Sequence, residues 1–308
     1  MPFVLLAVVW LCWGLSYPAT AVVLRGFDVL TCRVLVQTIG AATLLVQALL
    51  CRHRLGIARA AWPDLVIVAI LYMTILPLGM NLGVYLAGPG RTAILVYTMP
   101  VWTCLFARLL LGEPLTANRL AALVLGAGAV GALLSRDLPH LAHAPAGVAA
   151  ALVAAMSYGL GTVWLKRRIW HAHPSVVAFW QLVIGTVPVL VVWVILSGAI
   201  RIPPGLAQGG GEEWLALVFI GVLGNGLANF AWYRIVGRLP ATISGISALA
   251  IPCIGLFSSA WFLGEAVHPQ DIAAIAMIGG ALFLVLAEPR RTREPPAAPR
   301  PARRARRS

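Results

Sequence analysis

Charge is what this sequence has least of. Of its 308 residues only 11% are Asp, Glu, Lys or Arg, and the acids number 10. Soluble domains carry about 25% charged residues, so an ordinary soluble fold is excluded. The balance is apolar, at 60% of residues with a mean hydropathy of +0.90, and the chain reads as an integral membrane protein. Cysteine is also sparse. Cys12, Cys32, Cys51, Cys104 and Cys253 are odd in number and scattered, which points to neither a disulfide framework nor a zinc site. No G-x-x-x-x-G-K-[ST] sequence occurs, so nothing supports ATP drive from this chain. No Asp or Glu falls at the centre of a predicted span. The paired carboxylates or nucleophile and base of a membrane-embedded enzyme are therefore not visible, and neither is an obvious proton carrier.

Several long stretches carry no charge at all: Pro2 to Leu24, Leu65 to Gly90, Leu138 to Leu165, Ile169 to Ile200 and Leu239 to Gly264. Each is long enough, at about 1.5 Å per helical residue, to cross about 30 Å of hydrocarbon. Runs with one charge, or slightly short ones, fill the gaps at roughly 29–51, 92–111, 117–135, 213–236 and 270–287. Backbone in lipid must satisfy its own hydrogen bonds, and these runs lack the alternation of barrel strands. The expectation is an all-α protein with ten transmembrane helices. Ala19-Thr20-Ala21 resembles a signal cleavage site, but MPFVLL lacks a basic start and Trp10 and Trp13 follow, so the first stretch reads as a retained span.

Loops between spans, numbered in order, differ in charge. Even loops and their margins hold Arg52, Arg54 and Arg59; Arg108 and Arg119; Lys166, Arg167 and Arg168; Arg234 and Arg238. Odd loops hold only Arg25, Arg91, Arg136 and Arg201. Basic residues are retained inside, so both termini are expected in the cytoplasm, with the protein in the plasma membrane. From Pro289 onward the chain is Arg- and Pro-rich without apolar anchors. Residues 289–308 read as a disordered basic tail that marks the inside and touches anionic lipid, not nucleic acid.

The chain also repeats itself. Leu-Gly-Glu ends an apolar run at Gly112-Glu113 and again at Gly264-Glu265, 152 positions later, and at the same offset Pro100 meets Pro252 and Gly128-Ala129 meets Gly280-Ala281. Asn81 and Tyr85 correspond to Asn229 and Tyr233 at an offset of 148, and aromatic-Gly pairs open both halves as Trp13-Gly14 and Tyr158-Gly159. The halves are 1–136 and 137–288. Five spans per half is odd, so the second half is inserted upside down, an arrangement common among secondary transporters.

In order and duplication, these motifs resemble the EamA family of the drug/metabolite transporter superfamily, over about residues 3 to 287. The resemblance implies a carrier of small metabolites, often outward and including amino acids. It would work by alternating access around a central cavity lined by the first, third, fourth, sixth, eighth and ninth spans.

Residues three or four apart share a helix face. Trp13, Tyr17 and Thr20 form one stripe, Thr74, Pro77, Asn81 and Tyr85 another, and Asn225, Asn229 and Tyr233 a third. Polar groups facing lipid are costly, so the stripes face protein or water. The substrate-binding candidates are Trp13, Tyr17, Asn81, Tyr85, Asn225, Asn229 and Tyr233 from these stripes, with Tyr158 and Arg33. The Asn side chains have an equally good reading as ties between helices, and Arg33 is either an anion anchor or a snorkelling residue near Asp28. Pro100 and Pro252 are candidates for gating or kinks. Glu113 and Glu265 are expected to shape turns, each at the amino end of the next helix. Gly126 to Gly131 spells G-x-G-x-x-G but follows no strand, and reads as close helix packing. His140 with His143, and His171 with His173, lack a third ligand, so no metal or cofactor is expected. The function expected is export of amino acids or related solutes; import of another solute such as a sugar, or a non-transporting scaffold, are the alternatives. Oligomeric state is not legible.

Overall fold

The computed structural model describes residues 2–87, 92, 95–134, 145–197, 209–263 and 269–286. Among these described residues the regular structure is entirely helical. In chain order the elements are α1 (Pro2–Val23), α2 (Val29–Leu50), α3 (Trp62–Ala69), α4 (Leu76–Ala87), α5 (Met99–Leu111), α6 (Ala117–Leu134), α7 (Pro145–Arg167), α8 (Pro174–Ser197), α9 (Gly211–Phe219), α10 (Ala228–Arg238), α11 (Ala241–Ser247), α12 (Ala250–Leu263) and α13 (Pro269–Leu286).

Among the described residues, six helical stretches are long and apolar enough to cross a membrane: Phe3–Val23, Val29–Leu50, Arg59–Gly83, Pro145–Arg167, Pro174–Ile195 and Gly211–Arg238. Four shorter apolar helices accompany them, at Met99–Leu111, Ala117–Ala132, Cys253–Phe262 and Ile272–Leu284. Many of their apolar side chains point outward. Leu50, Ile195, Leu215, Trp261 and Phe283 are all exposed, as a surface solvated by lipid tails requires.

Two helices contain a wide turn. α3 and α4 are joined by Ile70–Ile75, and α9 and α10 by Ile220–Leu227, where the helix widens to bonds five residues back: Leu76 N–H donates to Leu71 C=O, and Ala228 N–H to Leu223 C=O. Such π segments concentrate at functional positions. Nothing in the residue pattern announces them. They turn the side chains after the bulge out of the 3.6-residue register that the stripe Thr74, Pro77, Asn81 and Tyr85 assumes, and Thr74 accordingly faces α8, its hydroxyl donating to Gly185 C=O at 3.0 Å.

A second departure lies at the predicted span Leu239 to Gly264, which is not one helix. It breaks between α11 and α12 through short i→i+3 bonds, Ala248 N to Gly245 C=O and Leu249 N to Ile246 C=O. A proline at position 252 has no N–H to offer the carbonyl four residues back, that of Ala248, so the regular ladder is interrupted there. The same happens before Pro100, where Thr98 N bonds Leu95 C=O just ahead of α5. The paired prolines thus mark interruptions.

Packing between the two expected halves is reciprocal. α2 lies on α8 and α6 on α13; α4 packs on α7 as α10 packs on α1, and α5 on α7 as α12 on α1; α2 meets the second wide turn and α8 the first. Glycines form the seats. A Cβ on Gly159 would come within 2.8 Å of Thr103 N, and one on Gly14 within 2.4 Å of the Ile254 side chain. Gly185 seats Met73 and Gly40 seats Asn225 in the same way. The aromatic-Gly motif therefore has a steric reason: its glycine lets α1 meet α12 and α7 meet α5.

Candidate functional site

Where the expected halves meet, aromatic and polar side chains form a connected cluster. Trp232 on α10 donates its indole N–H to the Tyr72 hydroxyl (3.1 Å); Tyr72 and Thr162 hydroxyls lie 2.6 Å apart; Thr162 donates to Tyr158 C=O at 2.9 Å. The Thr162 proton is committed to that carbonyl, so Tyr72 donates to Thr162, and the chain of bonds runs one way from Trp232 to the α7 backbone. Bonds aligned in this fashion polarise and strengthen each other. Tyr233 donates to Gln181 Oε1 on α8. The rings pack as well: Tyr72 lies 5.6 Å from Tyr158 and 6.5 Å from Tyr233, and Trp232 lies 5.8 Å from Tyr158 and 5.6 Å from Trp13. These separations are in the range where aromatic pairs attract.

Side chains bond the carbonyls of the wide turns, two of them from the opposite expected half and one, Gln37, from the same one. Ser157 donates to Leu71 C=O at 2.6 Å, and Trp13 to Gly224 C=O at 2.9 Å. Gln37 Nε2 donates to Met73 C=O at 2.8 Å, and its Oε1 lies 3.1 Å from the Thr186 hydroxyl, whose shorter bond, 2.6 Å, is to Leu182 C=O. Carbonyls set loose by an irregular turn in a membrane must find donors, and here side chains supply them.

Among the described residues, the buried polar atoms without a hydrogen-bond partner include Tyr158 Oη and Gln181 Nε2 in the cluster and Asn81 Nδ2 on α4. Leaving a buried donor unpaired costs about 1–3 kcal/mol. Among the described residues, no Asp, Glu, Lys or Arg belongs to the bonded cluster itself.

Of the residues singled out in the sequence, Trp13, Tyr158 and Tyr233 meet in the cluster. Asn81 is half-buried on α4, with its amide nitrogen unpaired. Asn229 donates its amide to Asn225 C=O one turn back at 2.8 Å, and Asn225 packs on Gly40, so this pair is engaged in helix structure. Arg33 lies in the second turn of α2, at the end where Asp28 caps the helix through Leu30 N and Thr31 N, both at 3.0 Å. Pro100 is buried at the start of α5. The side chains of Tyr17, Tyr85 and Pro252, and all of Gly264, Glu265, His140, His143 and the basic tail, lie outside the described residues. Sequence reasoning missed Tyr72, Thr162 and Trp232. Trp232 neighbours a selected tyrosine and was within reach; Tyr72 was hidden by the wide turn.

Glu113 does not serve the helix that follows it. Its Oε1 accepts from Ala241 N (2.8 Å), and its Oε2 from Thr242 N (3.1 Å) and Thr242 Oγ1 (2.8 Å), so it caps α11 in the other expected half. Gly112 makes this possible. With φ at +64° and no neighbour near a would-be Cβ, it is glycine for the left-handed turn alone.

The basic even loops gather at one face. Arg168 pairs with Asp64 at 2.8 Å, and Trp164 donates to the other Asp64 oxygen at 2.9 Å. His53 stacks on His173 at 3.8 Å, His173 on Phe230 at 5.8 Å, and Arg234 lies over Phe230. The His173 imidazole is pushed below its usual range by burial, then by His53 and Arg234. At the opposite face loop 1 meets the start of α9, with Phe27 edge-on to Trp214 at 5.1 Å.

Comparison with known proteins fits this architecture. The model of the EamA-like transporter family matches residues 1–135 and 145–287. The chain belongs to the EamA-like transporter family. It is 25% identical to the uncharacterized transporter YoaV of Bacillus subtilis strain 168, over 90% of this chain and 93% of that one. It is 26% identical to a probable terminal-alkyne amino-acid exporter of Streptantibioticus cattleyicolor, over 88% and 86%. A probable amino-acid metabolite efflux pump of Salmonella typhimurium is 24% identical over 63% of this chain and 66% of its own. A solved crystal structure superposes with a TM-score of 0.77 at 23% identity, covering 93% of this chain and 97% of the other, which shows the shared fold. As a member of this family the chain is a small-molecule transporter of the multi-pass membrane class.

Proposed function

We propose that this EamA-family chain is a secondary carrier that exports amino acids or related small metabolites across the plasma membrane by alternating access. Ten spans form two inverted repeats, 1–136 and 137–288, with both termini in the cytoplasm. One observation carries the reading: reciprocal glycine seats and two wide turns frame a polar aromatic cluster where the halves meet. The family model matches two stretches, 1–135 and 145–287, and this supports a division into two repeats. Gathering of the basic even loops at one face supports the orientation. Relatives named as amino-acid exporters and efflux pumps support cargo and direction.

In this reading the unpaired donors of Tyr158, Gln181 and Asn81 await an acceptor on the solute, such as a carboxylate or carbonyl oxygen, while the rings supply contact area. The test is flux of a labelled amino-acid panel in liposomes, with and without a pH gradient, against a folded Asn81→Ala variant. Saturable flux lost in the variant supports the proposal. No flux above empty liposomes removes amino acids as cargo and turns the panel to sugars.

A further inference from the structure

Glu113 is the unusual element at the even-loop face. α11 begins after Pro240, and no side chain of its own neighbourhood caps it. Its first N–H groups are satisfied instead by a carboxylate 128 residues away, on the opposite proposed repeat. Two backbone donors and one hydroxyl converge on that charge, each bond stronger than a neutral one, and a helix amino end favours an anion further. Behind the carboxylate the seam between α5 and α11 is closed tightly: a Cβ on Gly245 would meet the Thr103 side chain at 2.7 Å, and Thr103 is fully buried.

We propose that Glu113 is a latch between the two repeats, holding the even-loop face shut by capping α11, and that release of this cap accompanies the opening of that face. The purpose of the latch rests on the transporter reading. Its chemistry suits a reversible closure. Glu113 is half-buried at the face, so when the loops part, water can take over both the carboxylate and the freed N–H groups; the bonds are strong enough to bias the closed state and weak enough to be exchanged. Gly112 sets the direction of the carboxylate, and Thr242 completes its coordination.

The experiment needs no substrate, so its failure is distinct from failure of the transport reading. Spin labels at Leu115→Cys and Arg238→Cys, both exposed beside the latch, report the even-loop face; labels at Leu24→Cys and Leu215→Cys, also exposed, report the opposite one. The exposed Cys51 is replaced by Ser in both pairs. Distances are measured by pulsed electron resonance on the full chain in lipid nanodiscs. In Glu113→Ala the even-face pair should gain a longer-distance population, with the open-to-closed ratio rising about tenfold or more, while the opposite pair stays narrow or shortens. Thr242→Val, which keeps the carboxylate and both backbone bonds, should give a smaller shift of the same sign. An unchanged even-face distribution in Glu113→Ala overturns the latch. Broadening of both pairs together also overturns it, because Glu113 is then a general stability residue.

Discussion

Tyr72 and Trp232 lie 160 residues apart in sequence, on the third and eighth predicted spans, and share a buried hydrogen bond of 3.1 Å in which the indole donates. That bond starts the one-way chain through Thr162 to the Tyr158 carbonyl, so a single phenol oxygen holds three helices in register.

Replacing Tyr72 by Phe should therefore cost more than one hydrogen bond. The Trp232 N–H, on a residue 1% exposed, would be left unpaired, for a loss of about 1–3 kcal/mol. Thermal unfolding in detergent, followed by tryptophan fluorescence, checks this. A variant as stable as the parent would show that Trp232 finds another acceptor.

Gly159→Val should prevent assembly. Its Cβ would lie 2.8 Å from Thr103 N and 2.9 Å from Trp102 C, and these are backbone atoms in α5 that cannot rotate away. Loss of the monodisperse peak in size-exclusion chromatography is the expected result. Gly237→Ala on α10, which meets open space, should elute like the parent.

Gly112→Ala should destabilise through backbone strain, not through crowding. An L-residue at φ +64° costs roughly 1–2 kcal/mol, and no atom lies near the added methyl. Asn, which tolerates the left-handed region better, should recover part of the loss in the same melting assay.

Burial, His53 and Arg234 hold the His173 imidazole below the ordinary histidine value, which is about 6.5. A base whose folded value is lowered binds fewer protons folded than unfolded. Stability should be level above about pH 6.5 and fall as pH drops through the window beneath it. Melting temperature against pH from about 8 to 5 checks this, and His173→Gln should flatten the slope.

Much of the architecture was legible because lipid imposes severe rules. Long uncharged runs have one regular solution, the helix, and the two aromatic-Gly motifs fall at matching seats in the packing, Gly14 against Ile254 and Gly159 against Thr103. Phase was harder. The stripe through Thr74 and Asn81 assumes a uniform helix, whereas the wide turn Ile70–Ile75 carries Thr74 away to α8 and brings Tyr72 inward. Glu113 does sit at a helix amino end, but at that of α11 and not of the helix that follows it. Sequence distance does not limit which helix end a loop carboxylate reaches.

By itself the sequence determined that this chain is a bundle of apolar, membrane-spanning helices, because hydropathy is a property of order along the chain. Only the tertiary structure decided which polar groups meet. An Asn on a helix face can bond its own backbone, as Asn229 does, or be without a partner among the described residues, as Asn81 Nδ2 is. That choice depends on local helical phase and on neighbours distant in sequence, which glycine seats bring within van der Waals contact and a residue pattern cannot encode.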